Sequence, residues 1–92
     1  MQLHWIYDPV ISFEELLLYH NAISYHSDSF YYHPVAVAKR HETGVRYRFL
    51  CIINPKGFPE GPTHFAITEL YKPDQGMPYV TRVIPLTDEP WV

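Results

Sequence analysis

Apolar and polar residues alternate from Gln2 to Tyr7, with Leu3, Trp5 and Tyr7 on one side. That is the period of a strand, so a short first strand is expected with these three facing inward. Asp8-Pro9 closes it as a turn. The spacing then changes to threes and fours. Phe13, Leu16, Leu17, His20 and Ile23 fall on one face of a helix predicted over about residues 13–25, and that face should pack on a sheet. Ser12 lies three residues before Glu15, the spacing at which each side chain caps the other's backbone N–H. Ile11 and Leu16 stand at hydrophobic-staple positions, and Glu14 and Glu15 suit the positive end of the helix dipole.

Residues 24–29 break the helical pattern and read as a polar loop. Two hairpins are predicted after it, over about residues 31–53 and 63–86. In the first, Val45, Tyr47, Phe49, Cys51 and Ile53 share a face. A three-residue loop of Glu42, Thr43 and a left-handed Gly44 sets Val37 opposite Phe49 and Val35 opposite Cys51. A four-residue loop would send the valines to the other face. The connection through residues 54–62 is rich in proline and glycine. In the second hairpin Pro73-Asp74-Gln75-Gly76 makes the turn. Phe65 and Ile67 share a face that Val80, Ile84 and Leu86 can meet, with Glu69 and Arg82 on it too. Residues 87–92 are expected to be an irregular tail.

The predicted architecture is α+β, in the order β-α-β-β-β-β. One N-terminal amphipathic helix packs on a four- to five-stranded, mainly antiparallel sheet, and residues 1–92 form a single domain. One helix covers one sheet face. The other is expected to carry Arg46, Arg48, His64 and Thr68 together with Leu50, Ile52 and Ala66. That mixture implies a curled sheet or a cover, either the tail with Trp91 or a partner.

Composition narrows the class. The 92 residues are 47% hydrophobic and 16% aromatic with a formal charge of −3, which disfavours disorder. The N-terminus has no basic-then-apolar leader and no apolar run reaches membrane-spanning length, so a soluble, cytoplasmic chain without membrane contact is expected. The lone Cys51, flanked by Leu50 and Ile52, should be buried and inert rather than a nucleophile.

Chemistry-bearing motifs are sparse. Six histidines raise the question of a metal, but His20, His26, Asp28 and His33 lack convergent ligand spacing, and neither metal nor cofactor is expected. His26 and Asp28 could form an acid–base pair, although serines and aspartate in such a loop more simply stabilise a turn. Lys39, Arg40, Arg46, Arg48 and Lys56 are five of the seven basic residues, and the first hairpin gathers four of them near its tip with His41 and Tyr47 alongside. They either keep an exposed hairpin soluble or form a patch for an acidic partner. Tyr31 and Tyr32 cannot both face the core, so at least one should be a surface aromatic. The expected function is therefore a small non-enzymatic protein-binding module, a regulator, inhibitor or subunit. Its predicted contacts are Tyr31, Tyr32, Lys39, Arg40, Arg46, Arg48 and Lys56, with another protein or a second copy of itself as partner. Contact with nucleic acid through residues 39–56 is the alternative, and an enzyme or metal site at His26/Asp28 the third.

Overall fold

The computed structural model describes residues 5–26, 30–56 and 63–86. Leu3, Asp28, Trp91 and the rest of the 87–92 tail lie outside the described residues, as does most of the 54–62 connection. The elements run α1 (Phe13–Ile23), β1 (Phe30–Glu42), β2 (Gly44–Pro55), β3 (His64–Lys72) and β4 (Tyr79–Pro85). The four strands form one antiparallel sheet in sequence order. The helix packs on one face of it, so the α+β class is as expected while the order is α-β-β-β-β.

Of the predicted first strand, the described residues 5–7 are not in a strand. Asp8 makes a single antiparallel bridge to Val37, exchanging both backbone hydrogen bonds at 2.8 and 2.9 Å. The Asp8 carboxylate then accepts the Val10 N–H at 2.9 Å, which turns the chain toward the helix. Trp5, expected inward, lies instead over the guanidinium groups of Arg40 and Arg48, at 4.0 and 4.6 Å from its ring centroid. These arginines stand on the sheet face opposite α1, and the cation–π attraction carries Trp5 there.

The start of α1 is as the capping pattern requires. Ser12 Oγ accepts the Glu15 N–H at 3.1 Å and Glu15 accepts the Ser12 N–H at 2.8 Å. The packed face is a different one from that expected. Tyr19 and Ala22 are fully buried, with Ile11, Leu18 and Ile23 beside them, whereas Phe13 is 74% exposed and Leu17 and His20 face outward. The Tyr19 ring packs 4.9 Å from that of Phe49, and its hydroxyl reaches the Cys51 thiol at 3.5 Å. A tyrosine that satisfies its polar tip buries more area than the leucines could, which rotates the helix toward it.

Beneath the helix lie Val37, Phe49, Cys51, Ile53, Ala66 and Leu70. Here β3 is in the opposite phase to the sequence expectation. Phe49 pairs with Thr68 and Cys51 with Ala66, so these small residues occupy the space under Tyr19 while Phe65 and Ile67 face away. Large residues above small ones fill the layer without overpacking. In the same way Val80 pairs with Leu70 under the helix, because a register shift at Thr81 changes its side.

The first hairpin has the predicted short loop, with Glu42 paired to Gly44 and Val37 to Phe49. Pro34 rather than Val35 stands opposite Cys51, and a bulge takes up Val35. A proline has no N–H to donate to the ladder, and an edge-strand bulge accommodates it. Gly44 has φ of +89°, and a Cβ there would press on the Lys72 carbonyl and the Tyr71 hydroxyl. The Tyr71 hydroxyl also donates to the Thr43 carbonyl, tying the hairpin tip to β3. Gly44→Ala should therefore destabilise the fold by more than the ~1–2 kcal/mol cost of a left-handed backbone alone, read as a lower urea midpoint at unchanged slope.

Candidate functional site

The sheet face away from α1 is built in rows, because antiparallel partners point the same way. Across β1 to β4 the first row is Arg40, Arg46, Tyr71 and Tyr79, and the second is Ala38, Arg48, Glu69 and Arg82. The third is Ala36, Leu50, Ile67 and Ile84. The fourth is His33, Ile52 and Phe65, extended by Leu86, whose N–H donates to the Phe65 carbonyl at 3.1 Å. One end of the face is thus cationic and aromatic, and the other is apolar. Phe65 is 47% exposed and Leu86 48%, with Leu50, Ile52, Ile67 and Ile84 half-buried between neighbours.

Glu69 organises the cationic end. It is only 4% exposed and takes Arg48 Nε at 2.9 Å, Arg46 Nη1 at 3.3 Å and Arg82 Nε at 3.4 Å. The Thr81 hydroxyl adds a hydrogen bond at 2.9 Å. Burial alone would raise the carboxyl pKa, but the Thr81 hydrogen bond and the Arg48 and Arg82 guanidinium groups outweigh it and hold it below the ordinary value. Arg46 also reaches Glu42 at 3.3 Å and lies over the Tyr71 ring. The Tyr7 hydroxyl is hydrogen-bonded to Arg48, yet burial still raises its pKa. Two carboxylates among four arginines leave this end positive.

The predicted contact residues are separated. Arg40, Arg46 and Arg48 meet on the face just described. Lys39 is on the helix side, 3.1 Å from Glu15. Its neighbour Tyr47 stacks on Phe49 there, with ring centroids 6.0 Å apart. Lys56 is at the far end of the sheet over the Tyr31 ring, 5.6 Å from its centroid. Tyr31 is exposed, whereas Tyr32 packs against the core and meets His26 edge-on at 6.3 Å. The contiguous patch expected from residues 39–56 is divided because successive strand residues point to opposite faces. Arg82 and Trp5 join the cationic end and were not singled out from the sequence. The pairing of Glu69 with Arg82 was the available signal. Phe65 and Ile67, expected on the helix side, lie on this face, and Ala66 and Thr68, expected here, lie under the helix.

Cys51 is buried, and its thiol lies 3.6 Å from the Thr68 hydroxyl as well as against Tyr19. Burial pushes its pKa up despite these hydrogen bonds, so it has little thiolate character. Among the described residues no three of His, Cys, Asp and Glu gather to hold a metal ion, and no helix is long and apolar enough to cross a membrane. Comparison with protein-family models, curated proteins and solved structures finds no match to this chain.

Replacing Glu69 tests the electrostatic core of this face. Glu69→Gln removes the carboxylate shared by Arg46, Arg48 and Arg82 and should cost about 2–3 kcal/mol at neutral pH, below the cost of a wholly buried pair because the arginines are partly solvated and Arg46 keeps Glu42. The depressed carboxyl contributes stability above its unfolded pKa and loses it as pH falls through the folded value. Chemical denaturation of the native chain should therefore show declining stability below about pH 4.5, with a shallower decline in the variant.

Proposed function

We propose that this protein is a small non-enzymatic binding module whose face opposite α1 docks another protein. The observation that carries the reading is the adjacency, on one rigid sheet, of the apolar rows ending in Phe65 and Leu86 with the arginine rows around Glu69. Exposed aromatic and aliphatic residues beside arginine are the composition of interface anchors. The partner surface that complements this face is apolar toward Phe65 and Leu86 and acidic toward Arg40, Arg46 and Arg82. A protein partner is favoured over nucleic acid because Arg46, Arg48 and Arg82 already contact Glu69, and Lys39 and Lys56 stand apart from them. A phosphate-tracking surface instead calls for a continuous run of uncompensated cations.

The test is affinity capture from the native host with the unaltered chain and with Phe65→Asp, whose exposed position leaves the core intact. A specific partner retained by the first and lost by the second, with unchanged circular dichroism, is the expected result. Equal retention by both chains would overturn the reading. Light scattering on the unaltered chain and on Phe65→Asp separates self-association. A dimer that dissociates in the variant would identify the partner as a second copy.

A further inference from the structure

We propose that the outward side of α1 in one copy of this chain docks on the sheet face opposite α1 in the next, so that copies stack head to tail. The inference rests on the reading that this sheet face docks a protein, and it names a second copy as the partner.

The chain carries two apolar surfaces that its own fold does not bring together. Phe13 and Leu17, four apart on α1, share its outward side and are 74% and 48% exposed. Val10, just before the helix, is 74% exposed as well. A helical stripe with this spacing is suited to packing on a sheet, but the chain's own sheet is occupied by the Tyr19 side of the helix. On the far side of that sheet lie Leu50, Ile52, Phe65, Ile67 and Ile84, and no helix among the described residues covers them. Joining the two surfaces gives each sheet a helix on both faces, which is a stable layering.

Charge favours the same pairing. Arg40, Arg46, Arg48 and Arg82 lie on one face of a chain whose formal charge is −3, so the rest of its surface is acidic in balance. Asp8 and Glu14, both exposed, flank Val10 and Phe13 in the chain. No cation among the described residues pairs with Glu14, whereas Glu15 is turned toward Lys39. On the sheet face the Arg82 side chain is 58% exposed and that of Arg46 32%. Asp8 and Glu14 of one copy can therefore face Arg46 and Arg82 of the next, with Phe13 and Leu17 on the apolar rows. The contact joins two different surfaces, so it is heterologous and has no two-fold axis. A two-fold pairing of aligned sheet faces is a poorer match, because it stacks the arginine rows either on their like or on Phe65 and Leu86. Pairing of two helices would leave the sheet face bare.

Light scattering over a range of concentrations with the full chain, Phe13→Asp and Phe65→Asp tests this. Both positions are exposed, and aspartate at residue 13 suits the first turn of a helix, so circular dichroism should not change. The unaltered chain should grow in mass with concentration beyond a dimer. Each variant keeps only one of the two surfaces, so association should weaken about tenfold or more in either. An equal mixture of the two variants should form a dimer and stop there. In it the intact helix of the Phe65→Asp chain meets the intact sheet of the Phe13→Asp chain, and the remaining surfaces are both blocked. Glu14→Lys should also weaken assembly. A mixture that stays monomeric would overturn the proposal, and so would assembly that survives either variant alone. A monomer at every concentration of the unaltered chain would overturn stacking and leave the docking of a different protein standing, since that reading fails only if a captured partner is retained by Phe65→Asp.

Discussion

Among the described residues a single helix of 11 residues has to shield a sheet of four strands, and that shortage of cover shapes the rest of the described fold. α1 can bury one face, and does so around Tyr19, whose ring rests on Phe49 and whose hydroxyl reaches Cys51. To bring the helix close, the strand below must carry small residues, and β3 supplies Ala66 and Thr68. The choice has a cost on the other side. With the small residues under the helix, Phe65 and Ile67 are turned outward, beside Leu50, Ile52 and Ile84. Part of the hydrophobic side-chain content is thereby committed to a face that the helix cannot reach.

The two ends of that face handle solvent differently. At one, Glu69 draws Arg46, Arg48 and Arg82 together, and Trp5 and Tyr71 cover guanidinium surfaces. Charge-assisted hydrogen bonds compensate a carboxylate taken almost wholly out of water, an arrangement that holds only while its partners remain. At the other end, Phe65 and Leu86 have no such dressing among the described residues. The contrast between a satisfied polar end and an apolar end makes the face directional, which is the property a docking surface needs.

Local rules were legible where one side chain and the adjacent backbone decide the outcome. The Ser12–Glu15 capping box, the left-handed Gly44 and the pairing of Val37 with Phe49 all followed from spacing or parity. The helix's packed face did not, because the apolar stripe through Phe13 and Leu17 competed with one centred on Tyr19, and hydropathy undervalues a tyrosine whose hydroxyl is satisfied. The phase of β3 was also hidden. Both Phe65-Ile67 and Ala66-Thr68-Leu70 are plausible inward sets, and the choice depends on the volume left beneath the helix. At the candidate site, clustering of basic residues in sequence suggested one patch, yet Lys39 and Arg40 lie on different faces and Lys56 at a different end.

The sequence by itself determined the helix and the four strands after it, the start of the helix and the tight first hairpin, since these depend on interactions within a few residues of one another. It also determined that apolar side chains would exceed what one helix covers. Only the tertiary structure decided which of them would be left outside, that Glu69 would collect arginines from β2 and β4, and that Trp5 would lie over Arg40 and Arg48. Each of these is a competition for space or charge between distant parts of the chain, and periodicity records what a residue prefers without recording which neighbour it will meet.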